Sequence, residues 1–191
     1  MNTEKNIKTL IIKKPLKLDC GKTINNFPIA FETYGSLNEN KDNAILVFHA
    51  LTGDQFVTGL NPVTKKDGWW SFAVGPDKAI DTNKYFVICS NVIGGCMGSY
   101  GPSHKDPETQ KTFGTDFPVI TINDMVNAQY NLLEHFGIDK LFAITGGSMA
   151  DKIHVCAAIN FNQAIDINRC HGPNISDNWQ YVILHGREFC H

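Results

Sequence analysis

A serine stands at a point of the sequence where a nucleophile could be presented. The string Gly146-Gly147-Ser148-Met149-Ala150 directly follows the apolar run Leu141–Ile144. A serine hydroxyl is a weak nucleophile, and it reacts only when it is lifted clear of its strand to meet a base. The tight turn that lifts it needs small neighbours, which the two glycines supply. The pattern predicts a nucleophilic Ser148, and an inert serine in a glycine-rich turn is the alternative.

The string resembles the nucleophile elbow of the α/β-hydrolases, which reads G-x-S-x-G. Ala150 replaces the last glycine, so the helix that follows the elbow would pack more tightly against the strand. In that fold the acid and the histidine of the catalytic triad come after the serine in the chain. Only 43 residues follow Ser148, so the sequence predicts the part of such a site that extends up to the serine and little of the part that comes after it.

Apolar runs predict the strands that would carry this site. Three of them, 44–48, 85–89 and 141–145, are continuous and suit strands that are buried on both faces of a parallel sheet. Residues 8–18 and 27–34 alternate in character, which predicts antiparallel strands at the edge of the sheet. The glycine-rich loops 49–68 and 91–118 are longer than usual, which favours a functional role.

Residues 122–136 have the apolar period of a helix, in a stripe that only Gln129 interrupts. Thr121 and Asp124 have the spacing of a capping box, and Gly137 stands where a helix of this length would end. Together with the strands, this helix predicts an α/β fold with a mostly parallel sheet and antiparallel N-terminal edge strands.

Composition excludes several classes of function. The net charge is −2, so no basic excess points to nucleic acid or to anionic membranes. No apolar run is long enough to span a bilayer, and the polar N-terminus favours a cytoplasmic location. The six cysteines include no C-x-x-C pair, so we expect reduced thiols and no metal site.

Several loop strings, taken in order along residues 8–149, closely resemble the homoserine O-acetyltransferase family of α/β-hydrolase-fold acyltransferases. These strings are His49–Asp54, Gly68–Trp70, Gly75–Thr82, Tyr85–Ser103, Asp116–Val119 and Gly137–Lys140. Agreement between several unrelated loops is far more specific than the elbow alone. The resemblance implies acyl transfer from acetyl-CoA to L-homoserine in methionine biosynthesis, with acetyl-CoA as a co-substrate and no bound cofactor.

The resemblance also implies roles for single residues. Ser148 would be the nucleophile of a ping-pong reaction. The backbone N–H groups of Leu51 and Met149 would form the oxyanion hole. Thr52 and Gly53 would line the homoserine pocket.

Three other features have competing interpretations. We interpret His49 as a histidine that orients the oxyanion loop rather than as a base. Cys96 could be a rival nucleophile, but nothing near it in sequence favours a thiolate, so we expect a packed cysteine of the glycine loop. Trp69 and Trp70 would cover the core or, alternatively, form a platform near the acyl-donor tunnel.

The resemblance ends after Met149. Residues 1–191 therefore read as a single partial α/β-hydrolase domain, which is family-like over 8–149 and has a divergent tail over 150–191. The helical lid domain has no matching residues, which makes the family's homodimer doubtful here. No spacing singles out a triad base or acid among the following candidates: His154, His171, His185, His191, Asp151, Asp166 and Asp177.

Two classes of function stay open on the sequence. The chain is either an acyltransferase or a non-catalytic remnant of one, and succinyl transfer or serine as acceptor is the variant within the first class. Residues 151–169 could form a helix or begin as a strand. We also expect the sheet to end at the serine-bearing strand, which would leave Val47, Leu141 and Ile144 open to water.

Overall fold

The structure, a computed structural model, describes residues 7–147 and 180–184. One α-helix, α1 (Ile122–Phe136), and a short 3₁₀ turn, Gly114–Asp116, lie in this part of the chain. Its strands are β1 (Thr9–Ile12), β2 (Leu16–Lys17), β3 (Thr23–Ile24), β4 (Phe27–Tyr34), β5 (Ala44–Phe48), β6 (Val74–Gly75), β7 (Ile80–Asp81), β8 (Phe86–Ser90), β9 (Ala143–Gly147) and β10 (Gln180–Leu184). No helix among the described residues is long and apolar enough to cross a membrane.

Six strands form the central sheet in the order β1-β4-β8-β5-β9-β10. Its middle is parallel, because β5 pairs in the same direction with β8 on one side and with β9 on the other. On the N-terminal side β4 is antiparallel to β8, and the edge strand β1 is antiparallel to β4. The fold class predicted from the sequence is confirmed, including the antiparallel N-terminal edge.

The sheet does not end at β9, and in this respect the sequence-based expectation was wrong. Strand β10 pairs with β9 in antiparallel register, from Gln180 opposite Gly147 to Leu184 opposite Ala143. The apolar stretch at 180–184 has β-branched and aromatic residues that favour a strand. Its backbone satisfies the outer edge of β9, the strand that leads into Ser148. The alternative helix or strand over 151–169 lies outside the described residues.

Helix α1 begins and ends where its capping residues predict. The Thr121 hydroxyl accepts a hydrogen bond from the Asp124 N–H at 3.2 Å, and the Asp124 carboxylate accepts one from the Thr121 N–H at 2.9 Å. Gly137 ends the helix with a φ of 64°, a left-handed conformation that glycine adopts without strain. The predicted capping box and the predicted helix end are both confirmed.

Helix α1 covers one face of the parallel strands. Leu46, Phe48, Ile88 and Ile144 lie on this face and pack in one cluster with residues of the helix. The helix contributes Val126, Ala128, Leu132 and Leu133. Alternation along each strand places these side chains on one side of the sheet.

The opposite face is covered by a loop layer rather than by a helix. Residues 49–85, all of them described, connect β5 to β8 without an α-helix. From this connection Val57, Trp70 and Val74 pack against Val47 and its neighbours on the sheet. This layer explains why Val47 is fully buried, where the sequence led us to expect exposure. Leu141 and Ile144 are also buried, within the α1 cluster, so the same expectation is wrong for them.

The capping residue Asp124 offers a test of the fold. It is fully buried, and its second oxygen accepts a hydrogen bond from the Asp19 N–H at 2.9 Å, so it ties the helix start to the N-terminal strands. We expect Asp124→Ala to lower the free energy of unfolding by about 2–4 kcal/mol, because a cap is lost and two N–H groups lose their acceptor.

Urea unfolding checks this expectation. Asp139→Ala, at an exposed position just after the same helix, is the matched control and should change the free energy of unfolding by less than about 0.5 kcal/mol. Equal effects of the two substitutions would contradict the role given to Asp124.

Candidate active site

Parallel pairing brings the ends of three strands to one edge of the sheet. Phe48, the last residue of β5, lies opposite Gly146 of β9, and Val47 lies opposite Cys89 of β8. The segments that leave these strands begin with His49, Asn91 and Ser148. In open α/β sheets, sites form at the carboxyl ends of parallel strands, and this edge is therefore the candidate site.

The segment after β5 makes a tight turn. The Gly53 N–H donates to the Ala50 carbonyl at 2.8 Å, so Leu51 and Thr52 occupy the two central positions of the turn. The Leu51 side chain is 74% exposed, and no described residue accepts a hydrogen bond from its N–H. An N–H at the carboxyl edge that no described residue accepts from can donate a hydrogen bond to a developing negative charge on a ligand.

Two of the predicted site residues, Ser148 and Met149, lie outside the described residues. The strand that leads to them is described as far as Gly147. Its register sets Gly146 beside Phe48, one residue before His49 and three before Leu51. Of the other predicted site residues, Leu51, Thr52 and Gly53 come together in the single turn after β5.

His49 connects this turn to the segment after β8. Its ring is 1% exposed, with Nδ1 at 2.7 Å from the Ala50 carbonyl oxygen. Its Nε2 lies 3.3 Å from both the Val92 N–H nitrogen and Asn91 Nδ2. Burial lowers the pKa of His49, which favours the neutral ring. With both ring nitrogens engaged, His49 is poorly suited to act as a base and well suited to orient the turn.

The segment after β8 is folded back on itself at its glycines. The Gly94 N–H donates to the Tyr100 carbonyl at 2.7 Å. A Cβ at Gly101 would lie 2.3 Å from the Gly95 carbonyl oxygen, so no other residue fits there without movement. Sequence reasoning missed Asn91, which contacts His49 from this segment. Its position directly after a buried strand, like that of His49, was the available signal.

Asp54 holds the loop layer next to the turn. Its carboxylate accepts hydrogen bonds from the Phe56 N–H and from the Asn61 amide, both at 2.9 Å. Its backbone carbonyl accepts a hydrogen bond from the Trp69 indole at 2.9 Å. These bonds fix the start of the 54–69 loop just after the Leu51 turn.

Trp69 and Trp70 stack nearly parallel, with ring centroids 5.5 Å apart. Trp70 is buried in the cluster on the loop-covered face, as the core-cover interpretation predicted. Trp69 is 38% exposed and contacts Trp70 through the stacked rings. The platform interpretation for the acyl donor remains a prediction for Trp69 alone.

The exposure of Cys96 differs from what the sequence led us to expect. It lies on the glycine loop, but it is exposed rather than packed. The loop turns it outward, because Gly94 adopts a φ of 83° and the segment closes through the hydrogen bond between Gly94 and Tyr100. Its thiol is therefore accessible to reagents, which matters for any acylation experiment.

Comparison with proteins of known sequence gives close relatives. The chain is 76% identical over 149 residues to homoserine O-acetyltransferase of Pelagibacter ubique (strain HTCC1062), a match of 78% of this chain and 40% of that protein. It is 62% identical over 136 residues to homoserine O-acetyltransferase of Mesorhizobium japonicum, 71% of this chain and 35% of that protein. The chain thus spans 40% or less of the length of these curated relatives. No protein-family profile matches it.

Solved structures give the same picture. The homoserine O-acetyltransferase of Bacillus anthracis superposes with a TM-score of 0.75 at 32% identity, over 82% of this chain and 43% of that one. Esterase E22 superposes with a TM-score of 0.71 at 34% identity, over 78% of this chain and 42% of that one. The fold is thus shared by a transferase and an esterase.

The lowered pKa of His49 has a consequence for stability. The folded state keeps the ring neutral at a pH where the unfolded chain, with a pKa near 6.5, takes up a proton. The stabilisation is therefore fully present about one pH unit above the unfolded pKa of 6.5, and it is lost as the pH falls through 6.5 towards the folded-state pKa. Asp54 is the charged group that opposes the shift.

We expect the free energy of unfolding to fall between about pH 7.5 and 5.5, by at most about 1.4 kcal/mol per pH unit from this residue. Urea unfolding of the chain and of His49→Gln at both pH values isolates the contribution. A pH slope that is unchanged in His49→Gln would show that His49 does not carry it.

Proposed function

The matched part of this chain belongs to the homoserine O-acetyltransferase family of the α/β-hydrolase fold, and on that premise we propose that it forms an acyl-enzyme at Ser148. The acyl group would come from acetyl-CoA, and L-homoserine would be its acceptor. The substrates are small molecules, which agrees with the absence of a basic excess in the sequence. The observation that carries the proposal is the Leu51 turn at the carboxyl edge, beside the strand that leads to Ser148.

In the first half-reaction the Ser148 oxygen attacks the carbonyl carbon of the acetyl thioester. The Ser148 proton passes to a base, and the carbonyl oxygen becomes an oxyanion that the N–H groups of Leu51 and Met149 stabilise. The carbon–sulfur bond then breaks, and coenzyme A leaves as the thiol after taking up a proton. In the second half-reaction the homoserine hydroxyl gives its proton to the base and attacks the acetyl carbon. The bond between that carbon and the Ser148 oxygen then breaks, Ser148 regains its proton, and the acetyl ester of homoserine leaves.

The turn after β5 suits the role of oxyanion donor for a physical reason. Its carbonyl at Ala50 is already occupied by two donors, the Gly53 N–H and the His49 ring, so the peptide plane between Ala50 and Leu51 is held. The N–H of that plane is the Leu51 donor. A donor that is fixed before the reaction does not have to reorganise in the transition state.

The first half-reaction needs a base that takes up the Ser148 proton. His49 is excluded from this role by its occupied nitrogens, and a base must reach the serine within hydrogen-bond distance. The candidates from the sequence, His154, His171, His185 and His191, lie outside the described residues. Without a base we expect residual acceleration of about 10³–10⁴ over water, from binding and the oxyanion hole. The alternative that this chain is a non-catalytic remnant corresponds to this residual acceleration.

One observation favours water as a second acceptor of the acyl group. Esterase E22, whose name describes ester hydrolysis, shares the fold of this chain at a TM-score of 0.71. An esterase and an acetyltransferase can share the acyl-enzyme and differ only in whether water or an amino-acid hydroxyl accepts the acyl group. The homoserine acceptor is preferred here because relatives that are 76% and 62% identical to the chain are named homoserine O-acetyltransferase. Succinyl-CoA as donor and serine as acceptor remain variants of the same chemistry.

Acylation of Ser148 can be measured directly. We expect incubation of the full chain with acetyl-CoA to give an acetyl adduct on the peptide that contains Ser148, and no such adduct in Ser148→Ala. Parallel incubation with succinyl-CoA decides the donor. Peptide mass spectrometry provides the readout, and release of free coenzyme A that depends on homoserine distinguishes turnover from a single acylation.

Cys96 is the necessary control, because an exposed thiol can exchange with a thioester without catalysis. The experiment is therefore repeated in Cys96→Ser, where the Ser148 adduct should persist at the same rate. An adduct confined to peptides that lack Ser148 would refute the assignment of the nucleophile.

The backbone N–H of Leu51 can be removed while the turn that contains it is kept. Proline is favoured at the first central position of a turn and has no N–H, so Leu51→Pro deletes the donor at a position that accepts proline. We expect acylation of Ser148 to slow by about 10²–10³-fold, the usual loss of one oxyanion donor. Leu51→Ala keeps the N–H and removes an exposed side chain, so it should react like the original chain. Equal rates in the two variants would eliminate the Leu51 N–H as a donor.

A further inference from the structure

We propose that Asn91 is a positioning residue whose side-chain amide fixes the ring of His49 in one tautomer and, through it, the Leu51 N–H. The inference rests on the proposed function only in the role given to that N–H. Asn91 begins the segment after β8, is 2% exposed, and contacts a residue 42 positions earlier in the chain.

The orientation of the Asn91 amide follows from its partners. Its Oδ1 accepts a hydrogen bond from the Met97 N–H at 3.0 Å, and of the two ends of the amide only the oxygen can accept one. The amide nitrogen therefore faces Nε2 of His49, at 3.3 Å. The backbone of Asn91 is held as well, because its N–H donates to Ala30 at 2.8 Å and its carbonyl accepts from the Ser99 hydroxyl at 2.5 Å.

Two donors that converge on one nitrogen decide the state of the ring. Asn91 Nδ2 and the Val92 N–H both point to His49 Nε2, which must therefore carry its lone pair. The single proton of the neutral ring is then on Nδ1, where it donates to the Ala50 carbonyl at 2.7 Å. The other tautomer would place two lone pairs against each other at that distance.

The ring state reaches the Leu51 turn by direct contact. The Ala50 carbonyl that accepts from His49 also closes the turn by accepting from the Gly53 N–H. A Cβ at Gly53 would lie 3.0 Å from the Cβ of His49, so the turn is packed against the histidine. A change of tautomer would thus rotate the peptide that presents the Leu51 N–H.

The glycines of the segment after β8 keep Asn91 in place. A Cβ at Gly95 would lie 2.8 Å from both Asn91 Oδ1 and the Val92 carbonyl oxygen. The absence of side chains there lets the segment wrap around the asparagine amide. Gly95 thus helps to hold the Asn91 amide in place, and through Asn91 and His49 it supports the Leu51 turn.

Nitrogen-15 NMR of the imidazoles in the full chain tests the proposal. We expect His49 to show a protonated Nδ1 and an unprotonated Nε2. In Asn91→Asp, which has the same shape, the carboxylate can only accept a hydrogen bond, so Nε2 should become protonated and the Leu51 amide resonance should move. Asn40→Asp, at an exposed position, introduces the same charge and should change neither signal.

The functional readout is the rate of Ser148 acylation, which should fall by roughly 10²-fold in Asn91→Asp, as expected for a misplaced catalytic group. A protonated Nε2 in the original chain would overturn the proposal, whether or not the variant folds. An altered ring in Asn91→Asp with an unmoved Leu51 amide would overturn it too. If the original chain shows the expected ring but no acylation of Ser148, the proposed function fails and the Asn91 assignment stands.

Discussion

The parallel pairing of β5 with β9 is the constraint on which the site depends. It places Phe48 beside Gly146, so the turn after β5 begins next to the end of β9, the strand that leads to Ser148. A shift of this register by one residue would turn every side chain of β9 to the opposite face and bury the wrong set. The core packing on both faces therefore also fixes the geometry of the candidate site.

The two faces of the sheet are covered by different means, and this difference shapes the site. Helix α1 covers one face with a regular apolar stripe, while the connection between β5 and β8 covers the other with Trp70 and Val57. That connection begins with the Leu51 turn. The same segment thus covers one face of the sheet and presents a backbone N–H at its edge. Asp54 connects these two parts of the segment through its hydrogen bonds to Asn61 and Trp69.

Periodic features were predictable from the sequence, and irregular ones were not. The run 44–48 and the capping pair Thr121 and Asp124 predicted β5 and α1, because local composition decides both. The family strings predicted Leu51, Thr52 and Gly53 as site residues, and the structure brings these three into one turn at the carboxyl edge of the sheet. The cover supplied by Trp70 and Val57 depends on loop packing that has no period, so the sequence wrongly indicated exposure of Val47. The contact of Asn91 with His49 joins residues distant in the chain, and only the fold brings them together.

We propose that the turn after β5 and the serine after β9 form one acyl-transfer site. A crystal structure of the full chain after reaction with a serine-directed phosphonate tests it most directly, because the phosphonyl oxygen imitates the oxyanion. We expect an adduct on Ser148 with that oxygen about 3 Å from the Leu51 nitrogen, the distance of a preorganised donor. An adduct on Ser148 whose oxygen lies away from Leu51, or an adduct on another residue, would contradict it.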